Sequence, residues 1–334
     1  MRIRVAINGY GRIGRCVLRA IFEENRNHQF EIVAINDTAG IQSTAHFTQF
    51  DSTHGRFQAD VKIENDKLII NGQSITVISQ REPEKCTWDK FNIDLVLECT
   101  GAFTERAQAM RHLNAGAKKI LISAPAKDPD ATIVYGVNHE ILKSSDLIVS
   151  NASCTTNCLA PVVKPLHEKL GIEQGLMNTI HAYTKDQLLL DGNHKDFQRA
   201  RAAAHAIIPT KTGAAQAIGL VLPELSGKLE GFALRVPVIN VSTVDLTFTA
   251  SRSTSVDEVN QILKDASDGK ILCTNELPLV SCDFNHHSAS AIVDLKQTKV
   301  MDKLVKVMAW YDNEWGFANR MLDTGYQMFY SERM

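Results

Sequence analysis

The chain has no paired CxxC anywhere, which removes the commonest cysteine-based metal site. Its seven cysteines are Cys16, Cys86, Cys99, Cys154, Cys158, Cys273 and Cys282, an odd number in a long chain without an export signal. Reduced thiols in a cytosol fit this usage better than a disulfide framework. Cys154 and Cys158 stand four apart rather than three, and the adjacent His286 and His287 would point to opposite faces of a strand. No metal is expected. No apolar run reaches the ~18 residues that a spanning helix needs. Residues 1–7 lack the long apolar core of a leader and read as a first strand. Excess charge is missing too: 36 Lys and Arg against 38 Asp and Glu leave −2. Bulk attraction to nucleic acid or to an anionic membrane is therefore not expected. Internal repeats and low-complexity segments are also absent. What remains is a cytoplasmic globular protein, and 334 residues suggest about two domains.

The first positive signal is a glycine pattern. Apolar residues 3–7 run into Gly9, Gly11 and Gly14, a full GxGxxG, and then into the amphipathic residues 16–22. Alone the motif is weak. Between a strand and a helix it has the context that dinucleotide binding requires. Gly9 would allow the tight turn, Gly11 the approach of backbone to a pyrophosphate, and Gly14 close packing of helix on strand. The helix N-terminus would then receive the phosphate charge. A second strand at 30–35 ends before Asp37, which lies 37 − 14 = 23 residues after the third glycine. A carboxylate near that spacing binds an adenosine ribose and repels the extra phosphate of NADP. The plainer reading is an Asp capping a turn after a strand.

The second signal is Cys154, within residues 150–158 (SNASCTTNC). An apolar strand at 147–149 precedes it and a helical pattern over 159–170 follows. The cysteine thus stands at a helix N-terminus, where unpaired N–H groups and the dipole favour a thiolate. The competing reading is a buried structural cysteine. His181, 181 − 154 = 27 residues on and in a strand read at 176–184, is the best-placed base, although a lone strand histidine is usually structural. A thiolate, a base and a nicotinamide cofactor together suggest aldehyde oxidation through a thioester. Thr155, Thr212, Gly213 and Arg235 could supply donors to a phosphorylated substrate, with 210–213 preceding another helical stretch.

Elsewhere the pattern predicts a hairpin at 67–70 and 74–78 across Asn71-Gly72. It predicts strands at 94–101, 118–125 and 132–137, with a helix at 104–114. Such strand ends line the ligand crevice of an open α/β sheet, and Thr100, Gly101 and Ser123 stand there. After residue 150 the texture changes. An irregular polar segment covers 185–201, with strands at 232–236, 242–248, 290–293 and 305–311, a helix at 255–266 and a closing helix over 316–328. The fold class is α/β: a doubly wound Rossmann domain at 1–150, then an α+β catalytic domain at 151–316 with a mixed or antiparallel sheet. Residues 317–334 form a C-terminal helix expected to return to the first domain.

Five segments together carry a family resemblance: 6–15 (AINGYGRIGR), 51–55 (DSTHG), 152–158 (ASCTTNC), 210–215 (TKTGAA) and 310–316 (WYDNEWG). From end to end the chain resembles the glyceraldehyde-3-phosphate dehydrogenase family. The resemblance implies Cys154 as nucleophile and His181 as its base. It assigns Ser153, Thr155, Thr212 and Gly213 to the attacking inorganic phosphate. Thr184, Asp186 and Arg235 would surround the substrate phosphate and the cofactor, and Asn313 would hold the nicotinamide amide. Arg12, Ile13, Arg81, Thr100, Gly101 and Ser123 join the glycines and Asp37 as implied cofactor contacts. A homotetramer is implied, its long loop at about 182–205 lying against a neighbour's cofactor. A close relation within the family, erythrose-4-phosphate dehydrogenase, uses the same thioester but releases a free acid. Residues 317–323, with Phe317 where the family usually has tyrosine, look more like that enzyme. His181-Ala182-Tyr183-Thr184 and Thr212-Gly213-Ala214-Ala215 follow the glyceraldehyde pattern, and they handle the phosphate nucleophile. Gly192-Asn193 replaces the Leu-Pro of NAD-specific members, which implies NAD use with some tolerance of NADP. A reading from another class, a non-catalytic dinucleotide-binding scaffold, runs against the presence of Cys154, His181 and Arg235.

Overall fold

The structure, a computed structural model, describes residues 2–330. The last four residues of the expected closing segment, 331–334, lie outside the described residues. The chain forms two compact units. The first runs to Tyr135, resumes over His139–Ala152 and takes up the chain again from Ala318; the second comprises Gly136–Asn138 and Ser153–Phe317.

Nine strands make the sheet of the first unit: β1 (Ile3–Asn8), β2 (Phe30–Asn36), β3 (Val61–Glu64), β4 (Lys67–Ile70), β5 (Gln73–Ile78), β6 (Leu95–Glu98), β7 (Lys119–Ile122), β8 (Ala131–Thr132) and β9 (Ile148–Ser150). Their order is β8-β9-β7-β6-β1-β2-β5-β4-β3. Every pairing from β8 across to β5 is parallel, while β3, β4 and β5 form antiparallel hairpins at one edge. Strands buried on both faces read as continuous apolar runs, and β6 is buried at all four positions. The chain leaves β1 toward β2 and later returns on its other side through β6. That reversal creates the crevice at strand C-termini where open α/β sheets take ligands. The turn between β4 and β5 has Asn71 and Gly72 both at positive φ, as the Asn-Gly pair predicts.

One strand is shorter than the sequence suggests. Of the expected 132–137 only Thr132 falls within a strand, β8, and Gly136 turns the chain at φ 86. A Cβ there would also come within 2.9 Å of the Ile271 side chain. Several elements are invisible to periodicity alone, among them β3, the helix α2 (Ile41–Gln49) and strands at Ile208–Lys211, Leu272–Asn275 and Lys299–Met301. All are short, and β3 is largely exposed.

The second unit holds an eight-stranded mixed sheet: β10 (Ile172–Ala182), β11 (Ile208–Lys211), β12 (Leu229–Val236), β13 (Ser242–Ala250), β14 (Leu272–Asn275), β15 (Ala291–Asp294), β16 (Lys299–Met301) and β17 (Leu304–Tyr311). Its order is β11-β12-β10-β13-β17-β15-β14, with β16 beside β17. A helix over Cys154–Leu170 lies on this sheet and buries Leu159, Val162, Val163 and Leu166. On β13 burial alternates with period two, so alternate residues form the other face. That face leaves Leu176, Phe232 and Leu304 exposed, at 69%, 50% and 45%. Among the described residues, no helix is long and apolar enough to cross a membrane.

Candidate active site

In the first unit the three glycines divide by physical role. Gly9 sits at φ 90, and a Cβ there would meet Thr100 N at 2.7 Å. At Gly14 a Cβ would stand 2.3 Å from Gly9 O, so helix and turn close on each other only without a side chain. Gly11 differs: its Cβ position meets nothing within 4 Å. Two glycines are required by packing and the third leaves a cradle open, which suits the backbone approach of a pyrophosphate. Gly11 is the N-cap of helix α1 (Arg12–Glu23), and Arg15 N–H closes the first turn on Gly11 O at 3.1 Å. Geometry leaves the Ile13 and Gly14 amides without an intrahelical acceptor, at the positive end of the dipole. The Arg12 guanidinium is held by Asp51, and together with backbone N–H donors it keeps that carboxyl well below the usual carboxylate range.

Asp37 follows β2 directly. Its carboxylate accepts the Ala39 N–H at 3.1 Å and the Thr44 hydroxyl at 3.3 Å, so it caps its own turn while remaining half-exposed. Gly101 turns at φ 72 and Ser123 N–H donates to Glu98 O at 3.0 Å, so both stand at strand ends on this edge. Arg81 is exposed and makes no hydrogen bond among the described residues.

Beneath these loops lies a buried polar network that motif reading missed. Glu98 and His112 are 1% and 0% exposed. Trp88 Nε1 donates to His112 Nδ1 at 3.0 Å, so in the neutral ring the proton is on Nε2 and faces Glu98 Oε2 at 3.1 Å. Asn8 Nδ2 donates to the same oxygen at 2.5 Å, and Thr100 N–H to the other at 2.8 Å. The Thr100 hydroxyl donates to Glu98 and accepts the Ala102 N–H at 3.0 Å, so both Thr100 donors, the N–H and the hydroxyl, are taken up by Glu98. Asn36 Nδ2 donates to Asn8 Oδ1 at 2.7 Å, and Gly9 N–H to Asn36 O at 3.0 Å. One carboxylate thus ties together the ends of β1, β2 and β6, from which Gly9, Asp37 and Thr100 project.

In the second unit Cys154 opens the helix α4 (Cys154–Leu170). Ser153 is the N-cap: its Oγ accepts the Thr156 N–H at 3.0 Å. Just before it, Ala152 holds φ 55, a left-handed conformation rare for a residue with a Cβ. Cys154 Sγ lies 3.5 Å from His181 Nε2. His181 and Arg235 are register partners on the parallel strands β10 and β12, though 54 residues apart in sequence. Arg235 Nη1 stands 2.7 Å from His181 Nδ1 and donates to Ala182 O at 2.9 Å. The same carbonyl is 2.6 Å from Nδ1, and the Nε2 edge of the ring faces the thiol. Burial, with the Arg235 cation second, lowers His181 to about 3. Burial also pushes the Cys154 thiol up, against Arg235 and the Thr155 hydrogen bonds that pull it down. Desolvation thus opposes the thiolate that the helix terminus alone favours.

Tyr311 and Thr155 adjoin this pair, whereas Thr212 and Gly213 line a separate hollow with Thr210, Lys211 and Phe232. Tyr311, reached at the end of β17, stands edge-on to His181 and links its hydroxyl to Thr155 Oγ1 at 2.9 Å and Thr179 Oγ1 at 2.8 Å. Thr212 Oγ1 accepts the Ala214 N–H at 3.2 Å at the start of helix α5 (Ala214–Val221), whose N-cap is Gly213. A Cβ on Gly213 would meet nothing within 4 Å. The segment 185–201 is irregular as read, but it is internally tied. Asp186 is paired with Arg199, Arg199 Nε donates to Thr210 Oγ1 at 2.7 Å, and Thr184 N–H donates to Gln187 Oε1 at 2.9 Å. Arg199 and Tyr311 are the residues here that sequence reading gave no role; only their inclusion in a polar loop and in the 310–316 segment marked them.

The folded chain holds His181 neutral down to about pH 3, whereas an unfolded histidine takes its proton near its ordinary value of 6.5. The unfolded state therefore binds more protons in that window. Stability from this group is complete above about pH 6.5 and falls as pH drops, by about 1.4 kcal/mol per unit. Urea unfolding from about pH 7 to 4.5 should be less steep in His181→Gln by about one proton. Equal slopes would contradict the buried neutral ring.

A glycine-turn nucleotide unit and a unit with a helix-terminal thiol against a buried imidazole define a nicotinamide-dependent oxidoreductase. The family model "Glyceraldehyde 3-phosphate dehydrogenase, NAD binding domain" matches residues 3–106, and the C-terminal domain model of that family matches 153–313. The plasmid glyceraldehyde-3-phosphate dehydrogenase of Cupriavidus necator is 60% identical over 328 residues, covering 97% of this chain and 98% of that one. The enzyme of that name from Pseudomonas aeruginosa is 59% identical over 325 residues, 97% of each chain. That from Geobacillus stearothermophilus is 51% identical over 328 residues, again 97% of each. The chain belongs to the glyceraldehyde-3-phosphate dehydrogenase family and is an NAD-dependent oxidoreductase.

Proposed function

We propose that the chain oxidises D-glyceraldehyde 3-phosphate with NAD and inorganic phosphate to 1,3-bisphosphoglycerate, through a thioester on Cys154. The observation that carries this reading is the 3.5 Å approach of Cys154 Sγ to His181 Nε2, with the far side of the ring tied to Ala182 O. As sulfur bonds to the aldehyde carbon, Nε2 takes the thiol proton and returns it to the new alkoxide. NAD, when bound, supplies the hydride acceptor. Nε2 then holds the hydroxyl proton while the thioester carbonyl forms. When a phosphate oxygen attacks that carbonyl, the C–S bond breaks and the departing sulfur recovers its proton from His181. Arg235 fixes the imidazole and adds positive charge beside the reacting oxygen.

Gly9, Gly11, Arg12, Ile13, Gly14, Asp37, Arg81, Thr100, Gly101 and Ser123 are assigned to the cofactor, with Asn313 on its nicotinamide amide. Ser153, Thr155, Thr212 and Gly213 are assigned to inorganic phosphate; Thr184, Asp186 and Arg235 surround the substrate phosphate. In this reading 1–150 is the NAD-binding domain, 151–316 the catalytic domain and 317–334 the closing helix. The apolar sheet face at Leu176, Phe232 and Leu304 supports a homotetramer, and the free cysteines suit a cytoplasmic protein.

NADH formation followed with each aldehyde phosphate, with and without inorganic phosphate, tests the proposal. Strong phosphate dependence with glyceraldehyde 3-phosphate is the expected result. Faster, phosphate-independent oxidation of erythrose 4-phosphate would overturn it.

A further inference from the structure

Strand β13 begins at Ser242, 1% exposed, and its hydroxyl stands between the backbone beside His181 and the side chain of Asn313. Ala182 N–H donates to Ser242 Oγ at 3.0 Å, and Ser242 Oγ lies 2.8 Å from Asn313 Oδ1. The Ala182 N–H occupies one acceptor position of the hydroxyl, and the hydroxyl donates its proton to the carboxamide oxygen. Asn313, 5% exposed, is therefore held with Oδ1 inward, and its Nδ2 has no partner among the described residues. The preceding Asp312 anchors the turn. Its carboxylate accepts the Glu314 and Trp315 N–H groups at 2.9 and 2.7 Å, Asn240 Nδ2 at 2.8 Å and the His286 N–H at 2.7 Å. With the main chain fixed in this way, rotation of the carboxamide is the freedom left to Asn313, and Ser242 removes it.

We propose that Ser242 is a positioning residue: its hydroxyl orients the Asn313 carboxamide so that it offers a ligand only N–H donors, and ties that group to the strand end that carries His181. A carboxamide held this way selects a carbonyl acceptor, the chemistry of a nicotinamide amide oxygen. Turned over, it would present an acceptor to an acceptor. The inference rests on the reading of Asn313 as the nicotinamide residue.

The test is a double-mutant cycle on kcat and KM for NAD, at saturating aldehyde and phosphate, with thermal midpoints recorded for every variant. Ser242→Ala should lower kcat/KM for NAD about tenfold, the value of one lost hydrogen bond, and Ser242→Thr should restore most of it. On an Asn313→Ala background the Ser242→Ala change should add nothing. Losses that multiply instead would overturn the positioning role, as would unaltered kcat/KM in Ser242→Ala. Wild-type kcat/KM in Asn313→Ala would overturn the reading of Asn313 itself and this inference with it. Should Ser242→Ala not fold, Ser242→Cys, similar in volume and weak as a donor, takes its place in the cycle.

Discussion

Cys154→Ser should lower NADH formation from glyceraldehyde 3-phosphate by about 10³-fold or more, while NAD still binds. The substitution exchanges one atom and keeps the N-terminal position on α4, so the fold has little reason to respond. The chemistry has every reason to. A serine hydroxyl loses its proton far less readily than a thiol, so the same His181 faces a much harder proton to remove. An alcohol is also a poorer leaving group from an ester than a thiolate from a thioester, so the phosphate step would slow as well. The checks are initial rates with both substrates saturating, NAD titration by fluorescence, and the unfolding midpoint. Retained turnover in a folded, NAD-binding variant would rule out the thioester mechanism.

Glu98→Ala should cost about 3–5 kcal/mol of unfolding free energy and weaken NAD binding about tenfold. The carboxylate is 1% exposed and gathers donors from Asn8, Thr100 and His112. Removing it leaves those donors buried with no acceptor, and each then bears its full desolvation cost. The loss reaches the cofactor because Asn8 precedes Gly9, Asn36 precedes Asp37, and Thr100 packs where a Cβ on Gly9 would stand. Glu98→Gln should be milder, since one oxygen survives while the new NH₂ faces a donor. Urea unfolding with and without NAD separates the two effects. A change under about 1 kcal/mol in Glu98→Ala would mean that water satisfies the cluster.

Reading along the chain found what local spacing encodes. GxGxxG between a strand and a helix, Asp37 after β2, Asn71-Gly72 in a hairpin and Cys154 at a helix start each depend on neighbours within a few residues. The structure has all four where they were expected. The distinction among the glycines was less legible: only the packing of Gly14 on Gly9 O and the open space at Gly11 separate closure from cradle. Thr100 shows the limit of a strand-end argument, because its hydroxyl is already used by Glu98 and Ala102.

The state of Cys154 marks the division most clearly. By itself the sequence determined a thiol at a helix N-terminus, a histidine in a later strand and the nucleotide-binding glycines. It pointed toward a thiolate because the helix dipole is a local property. Only tertiary structure decided that His181 meets Arg235 across two parallel strands, that Tyr311 joins Thr155 to Thr179, and that burial raises the thiol. Desolvation and cross-strand hydrogen bonds depend on which distant segments close over a group, and no spacing along the chain records that.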